Sequence, residues 1–344
     1  MTIILFILIL GIIIFIHELG HFLFAKKFGI YIYEFSIGFG PKIYSFKRKN
    51  DETEYVIRLI PLGGYVAMAG EEDVDSVKVP EDKKLYNKPV WQRLLVMCAG
   101  VLNNFILGFL LLFIMGLVYG STVATNVLDN IPQNGNLHSY GIKNGDVITK
   151  INNKKVSNYD DIQTFIALAK EKDEKAKIDI TIKSGDIEKT YNVAPKKESD
   201  GNYYYGISVK INREKGFISA LKYAKEKFIS IYKSLLLIIE SLFTGKLGLK
   251  SLSGPVGIYS VVDSVKGSFE TILYLTAYLS INIGFMNIIP FPAFDGGRVL
   301  FLIIEKIKGS RINPKFETNV NFIGFIILMA LMIIITIKDV INLF

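Results

Sequence analysis

Phe15-Ile16-His17-Glu18-Leu19-Gly20-His21 lies inside an apolar run that begins at Ile3 and continues through Phe22-Leu23-Phe24-Ala25. On a helix, positions i and i+4 share a face, so His17 and His21 can offer imidazole nitrogens to one zinc ion, with Glu18 a step round the ring. The competing reading is a pair of histidines packed against other helices. Ionisable groups in a membrane span are costly, however, and by default mark a functional site. The run from Ile3 to Ala25 is long enough to cross a bilayer. His17 stands roughly 20 Å along it at the rise of a helix, toward the end flanked by Lys26 and Lys27.

The rest of the composition agrees with a membrane protein. Half of the 344 residues are hydrophobic and the mean hydropathy is +0.35, which suits several spans carrying a soluble insertion. The net charge of +8 comes from Lys and Arg scattered among nearly as many acids. No basic-aromatic stripe of the kind that binds nucleic acid is present, so no nucleic-acid partner is expected and the excess reads as membrane topology. Cys98 is the lone cysteine, which excludes an intramolecular disulfide and reads as a small core residue. Met1-Thr2 carries no Lys or Arg, so the first run reads as a retained helix and not as a cleaved signal peptide.

Taken in order, residues 1–30 form the first transmembrane helix with the zinc motif. Residues 31–93 hold aromatic and β-branched stretches at Tyr31–Phe35, Lys42–Phe46 and Tyr55–Leu59, separated by Gly38, Gly40-Pro41 and Lys49-Asn50-Asp51. These read as short strands, followed by Pro61-Leu62-Gly63-Gly64-Tyr65-Val66, a tight turn or a close backbone approach, and by a charged loop over 71–88. Residues 94–119 are the second span, whose Asn103-Asn104 pair faces either a neighbouring helix or a substrate backbone. In residues 120–211, Gly145-Asp146-Val147-Ile148-Thr149-Lys150-Ile151-Asn152 resembles the corresponding stretch of PDZ domains, with Asp160–Lys170 as their helix. Such domains take a peptide as an added strand. Residues 212–267 are an amphipathic interfacial region with a breaker cluster at Ser253–Ile258, and 268–298 are the third span, ending at Asn287–Gly297, where two prolines and two glycines preclude a regular helix. Residues 299–344 are a loop and the fourth span.

Four spans place His17, His21 and Asp295 at the same membrane side, because the first and third helices run in one direction. Lys26, Lys27, Arg93, Arg298, Lys306, Lys308, Arg311 and Lys315 mark that side as cytoplasmic, with the PDZ-like insertion on the other. Catalytic zinc takes three protein ligands and keeps one position for water. His138 is across the membrane, and Asp295 is the acid placed in a broken segment at matching depth, although an Asp-Gly pair can also serve as a plain turn. The chemistry expected is zinc on His17, His21 and Asp295, an acidified water, and Glu18 as general base in peptide hydrolysis. A non-catalytic scaffold binding tails through the PDZ-like domain and a metal transporter are the rival readings. The first does not need a carboxylate opposite the histidine pair, and the second would spread its polar groups across the bilayer.

His17-Glu18-Leu19-Gly20-His21, Pro61–Val66, Gly100 with Asn103 and Phe105, the PDZ-like insert, Ser253–Ile258 and Asn287–Gly297 together resemble the site-2 proteases of the bacterial RseP type over nearly the whole chain. The resemblance implies a polytopic α-helical protein of four transmembrane helices, with a short membrane-associated β element and one inserted α+β PDZ-like domain, in the bacterial inner (plasma) membrane. It implies an intramembrane zinc metalloprotease that cuts single-span membrane proteins in the lipid bilayer, such as anti-sigma factors or remnant signal peptides, in regulated intramembrane proteolysis. Peptide tails are the expected partners of the PDZ-like domain. By the same resemblance the β element engages substrate, and Asn103, Asn287, Pro290 and Pro292 contact it. Three departures from the family pattern stand out: Phe294 before Asp-Gly, Val101 after Ala-Gly, and a single PDZ-like domain.

Overall fold

The computed structural model describes residues 1–71, 77–132, 135–171, 173–248 and 251–341. In chain order they form α1 (Thr2–Lys27), β1 (Ile32–Lys47), β2 (Glu54–Met68), α2 (Val90–Tyr119), β3 (Ser121–Leu128), β4 (Val147–Ile151), β5 (Lys154–Lys155) and α3 (Tyr159–Lys170). There follow β6 (Ile178–Ser184), β7 (Ile187–Val193), β8 (Lys196–Lys197), β9 (Tyr203–Tyr204), β10 (Val209–Glu214), α4 (Phe217–Phe243), α5 (Pro255–Val265), α6 (Phe269–Ile288), α7 (Asp295–Lys308) and α8 (Pro314–Ile341). Two compact units result, Met1–Leu111 with Ser253–Phe344, and Leu112–Leu252.

In the first unit, α1, α2, α6 and α8 are the four helices long and apolar enough to cross a membrane among the described residues. Large apolar side chains such as Ile3, Leu8, Ile12, Phe322 and Ile326 are left exposed on them, as expected where lipid is the solvent. Phe6, Ile9 and Ile13 of α1 pack with Val262 of α5 and Leu275 and Leu279 of α6. The breaker cluster turns out to start a helix. Gly254 is the N-cap of α5 and Pro255 occupies its first turn, where a missing N–H costs nothing. The Asp339 carboxylate of α8 accepts from the Gly254 and Gly257 N–H groups at 2.7 and 2.9 Å and so caps α5 from another helix.

Where the sequence reads as three short strands, the structure has two long ones. β1 and β2 pair antiparallel from Ile32↔Met68 to Lys47↔Glu54, with repeated register shifts. Gly38 and Gly40 do not end β1. They take φ of +87° and +84°, a conformation open to glycine, so the strand bends there and continues. Likewise β2 runs through Pro61–Val66 without a tight turn. The far part of this hairpin leaves the large apolar side chains of Phe39, Ile43, Tyr44, Phe46, Ile57, Leu59 and Ile60 exposed.

The irregular segment after α6 is shorter than the sequence suggests. α6 stops at Ile288, one residue before the Ile289-Pro290 step, and α7 already begins at Asp295. Gly296 and Gly297 are therefore helical, and their lack of a side chain serves packing: a Cβ on Gly296 would lie 2.4 Å from the Ile288 and Ile289 carbonyl oxygens.

The second unit is an antiparallel sheet in the order β10-β3-β4-β6-β7, with β5 paired to β4. Leu128, Ile148, Ile151 and Ile180 of its strands and Ile162 and Phe165 of α3 make a buried core. In β6 the buried Ile178, Ile180 and Ile182 recur at every second residue, which gives that strand one apolar face. The unit extends past the expected limit at 211 to take in α4. Lys227 of α4 pairs with Asp160 of α3 at 2.6 Å, Thr164 and Ser234 hydroxyls meet at 3.0 Å, and Leu237 packs on the core.

Candidate metal centre

Helical spacing alone brings His17 and His21 to one face of α1, where both are buried. Their Nε2 atoms lie 3.2 Å apart. α7 delivers the third group: Asp295, its first residue, sets Oδ2 at 3.1 Å from His17 Nε2 and 3.3 Å from His21 Nε2. That oxygen is buried and makes no hydrogen bond of good geometry. An orphaned buried carboxylate oxygen is costly unless something else satisfies it. Zinc bonds of about 2.0–2.2 Å in a tetrahedron put ligand atoms roughly 3.3 Å apart, so the spacing fits this ion. Among the described residues these three are the one group of His, Cys, Asp and Glu close enough to hold a metal.

α2 shapes the site from behind. Gly100 faces the two rings, and a Cβ there would lie 2.4 Å from His21 Nε2 and 2.8 Å from His17 Nε2. Val96, one turn earlier, offers its carbonyl oxygen to His21 Nδ1 at 2.8 Å. A carbonyl only accepts, so Nδ1 of His21 carries the hydrogen and Nε2 keeps its lone pair for a metal. One turn after Gly100, the Asn104 amide meets His17 Nδ1 at 3.2 Å. α1 and α2 can come this close because Gly20 faces the Ala99 carbonyl, where a Cβ would stand 2.4 Å away.

Glu18, next in sequence to His17, turns toward β2. A Cβ on Gly64 would be 3.1 Å from Glu18 Cγ and 2.8 Å from the Ser36 carbonyl oxygen. The glycine pair thus makes the close backbone approach and sets the strand beside the acid. Nearby on the hairpin, Glu34 accepts from Arg58 and Tyr65, both at 2.7 Å. Burial pushes the Glu34 carboxyl up, but these hydrogen bonds and the Lys42 charge outweigh it, so the group titrates below the ordinary glutamate range.

The other expected residues are placed less decisively. Asn103 donates to the Ile16 carbonyl at 3.1 Å, so its amide nitrogen serves interhelical bonding. Asn287 is half-buried in the last turn of α6, Pro290 is exposed, and Pro292 packs against Gly324 of α8. Two ion pairs escaped the sequence reading. Arg93 at the start of α2 makes a two-pronged contact with Glu305 of α7 at 2.7 and 3.1 Å, and Arg298, one turn after Asp295, pairs with Glu71. Both tie α7 in place.

A family model described as Peptidase family M50 matches residues 5–331. The chain is 34% identical to the Regulator of sigma-W protease RasP of Bacillus subtilis (strain 168), with 100% of this chain and 99% of that protein covered. It is 36% identical to the Putative zinc metalloprotease CPE1693 of Clostridium perfringens, covering 91% and 90%, and 36% identical to the Putative zinc metalloprotease FN1322 of Fusobacterium nucleatum subsp. nucleatum, covering all of both.

Proposed function

From the premise that the chain belongs to peptidase family M50, the zinc metalloproteases of site-2 type, we propose that it cuts the transmembrane segments of single-span membrane proteins at His17, Glu18, His21 and Asp295. The observation that carries this reading is the buried, otherwise unpartnered Asp295 Oδ2 set 3.1 and 3.3 Å from the two Nε2 atoms. Zinc held there supplies a Lewis acid that makes water a nucleophile at neutral pH.

The remaining work falls to the chain itself. Val96 holds the His21 ring, and Gly100 keeps the space in front of both rings clear. Glu18 takes a proton from the attacking water and passes it to the leaving amine, so that one water is added across the peptide bond. The β1–β2 hairpin, whose Gly64 lies against Glu18, presents the substrate backbone to that acid, with Asn287, Pro290 and Pro292 as further substrate contacts. The side chain of Asn103 lends its remaining oxygen to the same task.

The positive-inside distribution supports a cytoplasmic-side active site and an extracytoplasmic sheet unit in a bacterial plasma membrane. The fold of that unit, an antiparallel sheet with the helix α3, supports a PDZ-like reading in which peptide tails add as a strand. A relative that regulates sigma-W favours an anti-sigma factor or a remnant signal peptide as substrate. Zinc content and cleavage of a single-span substrate by purified protein test the assignment together. Glu18→Gln should keep about one zinc and lose cleavage, and Asp295→Ala should lose both. Cleavage by Glu18→Gln at the wild-type rate would rule out the general base.

A further inference from the structure

Val96, Gly100 and Asn104 stand at i, i+4 and i+8 of α2, one stripe turned toward the metal centre. The first accepts from His21 and the second gives the rings room. Asn104 completes the stripe. Its side chain is fully buried, its backbone carbonyl accepts from the Ser280 hydroxyl of α6 at 2.8 Å, and its Cβ lies against Gly284. Held between α1 and α6, the amide has few places to turn.

The amide nitrogen Nδ2 lies 3.2 Å from His17 Nδ1, while Oδ1 is buried with no hydrogen-bond partner. The two ends of an amide have nearly the same shape, so its orientation is set by the hydrogen bonds it can make. His17 presents Nε2 to Asp295 and His21. To bind a metal through Nε2, a neutral imidazole carries its hydrogen on Nδ1, and that hydrogen needs an acceptor. The amide oxygen of Asn104 is the acceptor within reach.

We infer that Asn104 is a positioning residue of the metal centre: its Oδ1 accepts from His17 Nδ1–H, fixing the tautomer and ring orientation in which Nε2 faces the metal, as the Val96 carbonyl does for His21. This rests on the zinc assignment proposed above. α2 then supplies both outer partners of the histidine pair.

The test separates an acceptor from a donor and from mere shape. Zinc affinity is read by competition with a chromophoric chelator, and geometry by the visible spectrum of the cobalt-substituted protein, for wild type, Asn104→Asp and Asn104→Leu. Aspartate can only accept, and leucine is close to asparagine in shape but does neither. Asn104→Asp should hold zinc within about threefold of wild type with an unchanged cobalt spectrum, while Asn104→Leu should bind roughly 10–100-fold more weakly with an altered one, the usual effect of losing an outer partner. Wild-type affinity in Asn104→Leu, or an equal loss in both variants, would overturn the inference. Should Asn104→Leu not fold, ¹⁵N-histidine spectra of the metal-free wild type decide, since the chain has only three histidines. A hydrogen on Nδ1 of His17 is expected, and one on Nε2 would sink the proposal. Failure of the underlying assignment looks different: wild type would hold no zinc, or His17→Ala would hold it unchanged.

Discussion

The site depends on residues defined by what they omit. Gly100 has room for a hydrogen and nothing more, because a methyl group would stand 2.4 Å from His21 Nε2. Gly100→Ala is expected to weaken zinc binding by at least about tenfold, comparable to the loss of an outer partner. The substitution should not loosen α2, since alanine is the better helix former by about 1 kcal/mol. Zinc titration alongside helix content by circular dichroism separates the two effects. Bound zinc at wild-type affinity would mean that the rings lie elsewhere. The histidines and Asp295 were legible in the sequence because a four-residue spacing on an apolar helix and an acid inside a Pro-Gly break are local patterns. The Asn103-Asn104 pair was only half legible. Adjacent helical residues point about 100° apart, so which of them meets His17 depends on the phase of α2 against α1. Counting turns from Gly100 would have chosen Asn104.

At the scale of elements, α7 is the piece whose position decides whether three ligands converge. Its first residue is the proposed third ligand, and the Arg93–Glu305 contact fastens the helix to the start of α2. Both partners are largely buried, and removing one leaves an uncompensated charge, which costs about 3–5 kcal/mol. Arg93→Ala should therefore lower the thermal midpoint of the detergent-solubilised protein and reduce its zinc content. An unchanged midpoint would show that the pair contributes little. No local pattern links residues so far apart in sequence, which is why this contact could not be read in advance. The strand elements were legible as β-rich text, but their continuity was not. Gly38 and Gly40 punctuate a strand in sequence, whereas here they bend one. Nor does Gly296-Gly297 break the chain. It lets the first turn of α7 settle on the backbone that precedes it.

For the whole molecule, four spans and an inserted sheet unit are expected from hydropathy and turn chemistry, and the described residues hold four helices long and apolar enough to cross a membrane together with an antiparallel sheet unit. The docking of α4 onto α3 did not follow, because an amphipathic helix looks the same whether its apolar face meets a bilayer or a sheet. The charge distribution predicts orientation. In a Cys98→Ala background, an impermeant thiol reagent should label Asp200→Cys on intact cells and Lys308→Cys only after the membrane is opened. Labelling of Lys308→Cys from outside would invert the proposed topology.

The order of the ligands along the chain has a bearing on biosynthesis. His17 and His21 lie in the first helix and leave the ribosome early, while Asp295 only begins α7. With Asp295 as the third ligand, the nascent chain inserts its first span with two histidines in place but no complete set of ligands. Hydrolytic power waits until α6 has crossed and α7 has folded back. On the function proposed above, such an order would keep the protease from cutting its neighbours while its own helices are still being threaded into the same bilayer.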